Sequence, residues 1–383
     1  MAKKKGYTTT TQIEQRFTVI RALLAITVSL LFCFVLIFIS SDKPLADIAT
    51  FIIAPLTSKS RFALLLIRMS PLLFTSLAMC VLFSANTANL AVEGAFYMAA
   101  FSSAAISVLE NFLPAPFHFI VAALMGCLGA IIVLLIPAVL ELKFNANIVV
   151  CSLMLNYILN SLGNYLITGP MRDNGYSKEA TKVIAQSAKL PIIWNAGGQK
   201  VHLGLIIGIL CCVIGWFLIY KTNFGYEART VGQNPEFAKF SGINVGKVVV
   251  LGSIVAAIFC GIGATSEING YYRRMEWDTP TGYGWDGIMI SILAGNNPLL
   301  CIPGAAFLAY IRTSADVLNM TSNIPVEIVN VVQQVVIIMI AAKGLLAGPQ
   351  QKAIVANAKR NAELQAEEEK AQGDSSANKE VQA

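Results

Sequence analysis

Long apolar blocks that contain no charged residue alternate with short polar segments along most of this chain. The blocks cover residues 22–41, 69–92, 94–109, 111–140, 144–171, 203–220, 248–266, 287–311 and 328–342. An apolar helix needs about 20 residues to cross a bilayer, and a spanning segment must satisfy its own backbone hydrogen bonds. The pattern therefore predicts an all-α, polytopic transmembrane helix bundle.

One of these blocks contains a strong helix breaker. Residues 287–311 include the run Gly295-Asn296-Asn297-Pro298, and a proline removes a backbone hydrogen-bond donor. We expect a short inbound segment before this run and a separate outbound helix after it. The count is then about ten spans, several of them broken or re-entrant.

Composition and charge support the membrane interpretation and suggest an orientation. The chain is 56% hydrophobic and 13% charged, whereas soluble domains are roughly 25% charged. The basic residues ahead of the first block are Lys3, Lys4, Lys5, Arg16 and Arg21. They favour a cytoplasmic N-terminus, and an even number of spans returns the C-terminus to the same side. We therefore expect a basic cytoplasmic segment at 1–21, a transmembrane domain at 22–347 and a cytoplasmic tail at 348–383.

Cysteine and histidine give no sign of a metal site. The cysteines all lie within apolar blocks, without a Cys-x-x-Cys pair: Cys33, Cys80, Cys127, Cys151, Cys211, Cys212, Cys260 and Cys301. We expect buried, unpaired thiols. His118 and His202 sit at block edges, where we expect them to be interfacial and to bind no metal.

A polar segment interrupts the apolar pattern at residues 86–94. It places the amides of Asn86 and Asn89 and the carboxylate of Glu93 where hydrocarbon would be expected. An ionisable group at membrane depth is a candidate functional group, but Glu93 could instead accept hydrogen bonds from the N-terminus of a broken helix. Asp286 is also followed by glycine and lies about half a chain away, which hints at an internal duplication.

A second set of amides lies in the block at 144–171. Asn156, Asn160 and Asn164 are spaced i, i+4 and i+8, so they share one face of a helix, next to Tyr157. Such a stripe either holds helices together or lines a hydrated path. The candidate translocation-pathway residues are Asn86, Asn89, Glu93, Asn156, Tyr157 and Asn160.

Two polar segments are too long to be simple turns. The segment at 169–202 is external in the orientation above, where it is either a docking surface for a partner or a solvated loop. The segment at 221–247 is cytoplasmic. In it, Asn234 can cap a short helix with Pro235 at its first position and Gly242 as its terminator. Phe237 and Phe240 share a face of that helix, which suits insertion into a groove on another protein or packing against the chain's own membrane domain.

Three motifs resemble those of ABC importer permeases of the ribose and branched-chain amino acid superfamily. Asn89-Leu-Ala-Val-Glu93-Gly94 resembles one signature, and the run from Asn147 to Tyr157 resembles a second. Gly232-x-Asn234-x-x-x-Ala238-x-x-x-Gly242 resembles the loop that couples permease to ATPase. The run Gly282-Tyr-Gly284-Trp-Asp286-Gly287, followed by Leu293-Ala-Gly295-Asn-Asn-Pro298, is similar to the simple-sugar and nucleoside branch, whose permeases work with basic-membrane-protein lipoproteins.

The resemblance covers about residues 63–347 and implies a function without covalent chemistry. It implies a multi-pass permease subunit in a bacterial cytoplasmic (inner) membrane that imports nucleosides, or else ribose-like sugars, by alternating access. The implied partners are an ABC ATPase that uses ATP and Mg²⁺, a second permease subunit that is often a paralogue, an extracellular substrate-binding lipoprotein and membrane lipid, but no nucleic acid. The implied coupling residues are Gly232, Asn234, Pro235, Glu236, Phe237, Ala238, Phe240 and Gly242.

The chain carries no phosphate-binding loop of its own. The nearest match, Gly242-Ile-Asn-Val-Gly246-Lys247-Val248, is one residue short and lacks the Ser or Thr that would bind magnesium. We therefore expect no cofactor on this chain and no enzymatic activity. The rival from another class is an ion-coupled carrier in which Glu93 would be the proton site.

Overall fold

The computed structural model describes residues 43–110 and 113–321, with scattered positions between 27 and 39. The chain divides into two units, Phe34–Gln333 and a second made of Met1–Cys33 with Gln334–Ala383. All elements below belong to the first unit. The predicted cytoplasmic segment at 1–21, the span at 328–342 and the tail at 348–383 lie outside the described residues.

The described part is almost entirely helical. Its helices are α1 Pro44–Thr57, α2 Lys59–Ser84, α3 Val92–Ser107, α4 Phe117–Phe144, α5 Ile148–Thr168, α6 Gly204–Lys221, α7 Asn223–Gln233, α8 Pro235–Phe240, α9 Val245–Gly270, α10 Tyr283–Leu293 and α11 Cys301–Thr321. A 3-10 turn spans Gln186–Ala188, and strands β1 Ile192–Ala196 and β2 Gln199–His202 pair as one antiparallel hairpin. The all-α prediction is confirmed.

Five of the described helices are long and apolar enough to cross a membrane, namely α2, α4, α5, α6 and α9. They differ in burial: 83% of the most apolar window of α2 lies inside the bundle, against 33% for α4 and for α5. The bundle is therefore built around α2, while α4 and α5 turn most of their apolar surface outward, as lipid-facing helices do.

Glycines let the central helices approach closely. A Cβ on Gly261 of α9 would lie 2.4 Å from the Cα of Cys127 in α4, and one on Gly263 would lie 2.5 Å from the Cβ of Phe74 in α2. Small residues at such crossings are the usual means of packing helices in lipid, where no hydrophobic effect drives them together. The cysteines in the described residues are free thiols, and all but Cys151 are buried, as predicted.

The helix break predicted at Gly295 is present. α10 has only 11 residues, and the chain reverses through Gly295 and Asn296, both at positive φ, before α11 begins at Cys301. Left-handed backbone at two successive residues is compatible with glycine and asparagine and ends a helix sharply. The inbound segment and the separate outbound helix are thus confirmed.

The bundle has two ends, which we call the hairpin end and the α8 end. α6 leads from β2 to α7, and α9 leads from α8 back to the hairpin end, where the N–H of Leu190 donates to the carbonyl of Asn269. α2 runs antiparallel to α9, from the hairpin end to the α8 end. It begins near Ser60, which hydrogen-bonds to Gly197 in the hairpin, and ends at Ser84 beside Gly232.

The polar segment at 169–202 packs on the bundle through part of its length, while about half of its residues are exposed. The N–H of Ala185 donates to the carbonyl of Ser107, and the N–H of Thr181 donates to that of Met275. The sequence analysis described this segment as either a docking surface or a solvated loop. It predicted neither the β-hairpin nor this packing. His118 and His202 are both buried inside the protein, and their placement at the membrane interface stays a prediction.

Candidate functional site

The polar segment at 86–94 joins α2 to α3 inside the bundle. Its first residue, Asn86, is exposed and adopts a left-handed backbone, and α3 begins at Val92. Asn89 is fully buried: its Nδ2 donates to the carbonyl of Leu134 in α4 at 3.0 Å, and its Oδ1 accepts the N–H of Ala91 at 3.1 Å. Asn89 therefore fixes the turn that starts α3.

Asn156 of α5 completes this turn from the other side. Its Oδ1 accepts the N–H of Gly94 at 3.1 Å, and its Nδ2 donates to the carbonyl of Leu90 at 3.0 Å. The hydroxyl of Ser152, one turn earlier, accepts the N–H of Leu90. Free N–H groups at a helix start need such partners, since no water is available at this depth. Asn156 thus holds two helices together, which is one of the two uses foreseen for the amide stripe.

Glu93 lies in the first turn of α3 but satisfies the start of a different helix. Its Oε1 accepts the N–H of Gly282 at 2.7 Å, and its Oε2 accepts the N–H of Gly284 at 2.6 Å. Both donors belong to the N-terminus of α10, where the helix dipole favours an anion. The structural use foreseen for Glu93 is therefore present in full.

The two short helices start near each other and run in opposite directions. α3 ends at the hairpin end, at Ser107, whereas α10 runs along α2 toward the α8 end, with Gly287 against Thr75 and Ser291 against Cys80. Two broken helices with adjoining N-termini inside the bundle resemble the arrangement of transporters that contain internal repeats.

A buried ion pair next to this junction was missed from the sequence. Asp286 of α10 binds Arg312 of α11 through both carboxylate oxygens, at 2.7 and 2.6 Å. One turn further along α11, Asp316 pairs with Arg68 of α2. The signal was available: Arg312 ends an apolar block, and a charge in that position favours an intramembrane partner.

The remaining pathway candidates lie on the outside of α5. Tyr157 is 75% exposed and Asn160 is half-buried, so neither joins the Asn89, Glu93 and Asn156 cluster. Polar side chains continue along the same face of the C-terminal half of α5, where Ser161, Asn164 and Tyr165 are exposed and Thr168 is half-buried. A polar stripe on a membrane helix is costly against lipid, so this face suits water or a second protein.

The predicted short helix in the segment 221–247 is present as α8. Oδ1 of Asn234 accepts the N–H groups of Glu236 and Phe237, both at 3.0 Å, and Gly242 stops the helix with a φ of 82°. The preceding helix α7 was not predicted. A Cβ on Gly232 of α7 would lie 2.2 Å from the carbonyl oxygen of Ser84, which requires glycine where α7 crosses the end of α2.

The two phenylalanines of α8 do not pack on the membrane domain. Phe237 is 59% exposed and Phe240 is 91% exposed, while Ala238 between them is fully buried. Pro235 and Glu236 are exposed as well. α8 is thus anchored through Ala238 and presents an apolar pair outward, at the end of the bundle.

Charged groups at the hairpin end have shifted pKa values. The hydrogen bond from Arg274 lowers the pKa of Asp173, and burial lowers the pKa of His202 to about 4. Nδ1 of His202 accepts the N–H of Gly204, so the neutral ring carries its proton on Nε2, facing Glu267 at 3.9 Å. Among the described residues, no group of three or more His, Cys, Asp or Glu side chains could hold a metal ion.

The family model of the permease component of branched-chain amino acid transport systems matches residues 61–341. The chain belongs to this family. It is therefore a multi-pass membrane permease subunit of an ABC transport system, and its family implies ATPase and substrate-binding partners. ATP hydrolysis belongs to a separate subunit, which confirms the prediction that this chain is not an enzyme.

Three relatives of this permease are described as ABC transporter permeases for a nucleoside or a sugar. Guanosine ABC transporter permease protein NupP of Bacillus subtilis is 28% identical over 72% of this chain and 79% of its own length. Nucleoside ABC transporter permease protein NupB of Lactococcus lactis is 26% identical over 76% of this chain and 82% of its own. Glucose ABC transporter permease protein TsgB13 of Haloferax volcanii is 27% identical over 74% of this chain and 77% of its own.

Proposed function

We propose that this permease imports nucleosides, driven by ATP hydrolysis in a partner ATPase that uses Mg²⁺. The substrate class rests on the relatives, since NupP and NupB are described as guanosine and nucleoside permeases. The observation that carries the coupling to an ATPase is the exposed pair Phe237 and Phe240 on a helix held rigidly by the Asn234 cap.

α8 with its flanking residues is the proposed contact with the ATPase. An aromatic pair on one helical face fits a groove on another protein, and burying such side chains is a common source of binding energy. The residues with this role are Gly232, Asn234, Pro235, Glu236, Phe237, Ala238, Phe240 and Gly242. Four residues separate α8 from α9, and the 26 residues of α9 span about 39 Å at 1.5 Å per residue. A displacement of α8 would therefore be passed along α9 to the hairpin end.

The proposed solute path follows the outer face of α5, against a second permease subunit that is a paralogue or a copy. Tyr157, Asn160 and Asn164 offer hydroxyl and amide groups, which suit an uncharged solute rich in hydroxyl groups. Asn89, Glu93 and Asn156 stand behind this face and hold α3 and α10 in place, and Asn86 lies at the α8 end of the same polar segment. Rocking of the two permeases would expose the path to each side in turn.

The proposed placement is a bacterial cytoplasmic membrane, with α8 inside and the hairpin end outside. The domain limits of 1–21, 22–347 and 348–383 belong to this proposal. Outside, the segment at 169–202 would face a substrate-binding lipoprotein. The lipoprotein delivers the solute, and the ATPase supplies the energy.

An ATP-driven sugar importer is the second candidate, because the glucose permease TsgB13 is about as similar as the nucleoside permeases. An ion-coupled carrier with Glu93 as its proton site is disfavoured. Both oxygens of Glu93 accept backbone N–H groups, a use that suits an anchored carboxylate rather than one that releases and takes up protons.

Uptake into proteoliposomes tests this proposal. Vesicles holding the permease, its ATPase and its binding lipoprotein should take up labelled nucleoside only with ATP, and excess ribose or glucose should not compete. Competition by sugar would move the substrate class to the second candidate. Uptake that needs a proton gradient and no ATP would overturn the importer.

A matched pair of variants tests the coupling surface. Phe240→Asp should abolish ATPase binding and uptake, because it places a charge in an apolar groove. Phe240→Leu is the control, since it keeps an apolar side chain at the same 91% exposed position and should retain ATPase binding. Normal ATPase binding by Phe240→Asp would show that α8 is not the contact.

A further inference from the structure

A cavity of about 870 Å³ lies at the hairpin end, between the start of α4, the start of α6 and the end of α9. Three basic side chains line it, and each comes from a different segment: Lys189 follows the 3-10 turn, Lys200 is in β2 and Arg273 follows α9. The same three also line an adjoining hollow of about 670 Å³. The fold thus gathers three positive charges at one site.

Within the part of the chain that the structure describes, these three charges have no ion-pair partner. Glu110 borders the adjoining hollow but pairs with none of the three. The next residue along, Arg274, behaves differently, because it is paired with Asp173. An uncompensated group of three cations attracts an anion.

The floor of the cavity is apolar and lies where two membrane helices begin. Pro116 and Phe119 line it from α4, and Leu203 and Ile207 line it from the α6 side. Apolar side chains beside the cavity on the same helices point outward: Phe117, Ile120, Ile206 and Leu210 are all exposed. The cavity therefore lies between an outward-facing apolar surface of α4 and α6 and the three basic side chains Lys189, Lys200 and Arg273, which we call the rim.

A buried amide in the cavity lacks a partner. Asn269 is 1% exposed and lines the cavity, yet neither its Nδ2 nor its Oδ1 makes a hydrogen bond among the described residues. A buried amide without partners costs free energy, so such a group usually has a ligand or a water. Asn269 is thus an unpaired amide at the wall of the cavity, next to the space that a bound molecule would fill.

We propose that this cavity binds an anionic phospholipid, with the phosphate at Lys189, Lys200 and Arg273, the glycerol region at Asn269, and an acyl chain along Phe119 and Ile207. Basic side chains near a membrane surface attract the headgroups of anionic lipids, and each additional cation adds to that attraction. An acidic side chain from a soluble partner would use the rim but would leave the apolar floor empty. A free phosphate would do the same.

The test compares lipids on the purified full-length permease. Native mass spectrometry would measure retention of dioleoyl phosphatidylglycerol against dioleoyl phosphatidylcholine, with sn-glycerol 3-phosphate as the probe that has a phosphate but no acyl chains. We expect phosphatidylglycerol to be retained preferentially and to raise the melting temperature, since a ligand that binds only the folded state stabilises it. Glycerol 3-phosphate should neither bind nor compete at equal concentration.

Three variants locate the site. The triple variant Lys189→Gln, Lys200→Gln, Arg273→Gln should weaken phosphatidylglycerol retention by roughly 10-fold or more. Its matched control, Arg172→Gln, Lys178→Gln, Lys182→Gln, removes three exposed cations of the same polar segment outside the cavity and should change nothing. Asn269→Asp keeps the side-chain shape but adds a negative charge, and it should weaken retention as well.

The proposal fails on any of four results. Equal retention of the two lipids by the wild type, or equal loss in both triple variants, would mean that the cavity is not the site. Tight binding of glycerol 3-phosphate would replace the lipid with a small anion. Unchanged lipid retention in the first triple variant, with lost binding of the external lipoprotein, would make the rim a protein-docking surface.

Discussion

The carboxylate of Glu93 and the backbone N–H of Gly284 are joined by a hydrogen bond of 2.6 Å, between residues 191 positions apart. The contact ties the first turn of α3 to the first turn of α10, and the second oxygen of Glu93 repeats it with Gly282. Because both helices begin inside the bundle, their N–H groups have no water to bind. Glu93 therefore acts as a cap supplied by another helix.

Replacing Glu93 with glutamine should destabilise the permease. The amide presents an NH₂ group to one of the two N–H donors, so one buried donor loses its partner, at a cost on the order of 1–3 kcal/mol. Thermal denaturation in detergent micelles should show a lower melting temperature for Glu93→Gln. Glu179→Gln, at an exposed carboxylate, is the control and should melt like the wild type. Equal melting of both variants would contradict the capping role.

Gly284→Ala tests the close approach of the same two helices. A Cβ at this position would lie 2.5 Å from both the N and the Cα of Glu93, and backbone atoms cannot rotate away. We expect poor folding and low yield of monodisperse protein in size-exclusion chromatography. Gly252→Ala in α9 is the matched control, because nothing lies within 4 Å of its Cβ, and alanine is favoured over glycine in a helix by roughly 1 kcal/mol. A well-folded Gly284→Ala protein would argue against the tight crossing.

Local sequence patterns predicted where helices begin and end better than they predicted which helices contact each other. The capped helix α8 and the break before α11 follow from residues within one or two turns, Asn234 with Pro235 and Gly295 with Pro298. The partners of Glu93 and Asn156 lie across the bundle, and no spacing along the chain reveals them. The position of Arg312 at the end of an apolar block indicates that it has a partner, but identifying that partner as Asp286 requires the return of α11 beside α10.

Leucine substitutions at Asn156 and Asn160 should have different effects, the first on stability and the second on transport. Asn156→Leu removes the partners of Gly94 and Leu90, so it should lower the melting temperature by leaving buried backbone groups without a partner. Asn160 is half-buried and makes no hydrogen bond within the described residues, so Asn160→Leu should melt like the wild type. If the solute path follows α5, Asn160→Leu should nevertheless reduce nucleoside uptake. Normal uptake by a stable Asn160→Leu protein would remove this residue from the path.

His202 should make the stability of the permease depend on pH. Its pKa of about 4 in the fold lies below the ordinary 6.5, so the folded protein resists protonation of this ring. The resulting stability is complete above about pH 6.5 and is lost as the pH falls toward 4, by up to about 3 kcal/mol. His202→Asn keeps an acceptor for the N–H of Gly204 and should melt with a shallower pH dependence over this range. The difference between the two proteins isolates the ring from nearby carboxyls such as Glu267, and equal slopes would contradict a neutral buried histidine.

The two ion pairs of α11 should differ in strength because they differ in burial. The carboxylate of Asp286 is 3% exposed, so Arg312→Leu strands a buried charge, and losses of about 3–5 kcal/mol are typical of such changes. Asp286→Leu with Arg312→Leu should recover much of this loss, since no charge then remains. The pair Arg68–Asp316 is 30% and 40% exposed, and removing either partner should cost no more than about 1 kcal/mol. Two double-mutant cycles measured by chemical denaturation would give the coupling energies. A coupling of Arg68 with Asp316 as large as that of Arg312 with Asp286 would mean that burial does not set their strength.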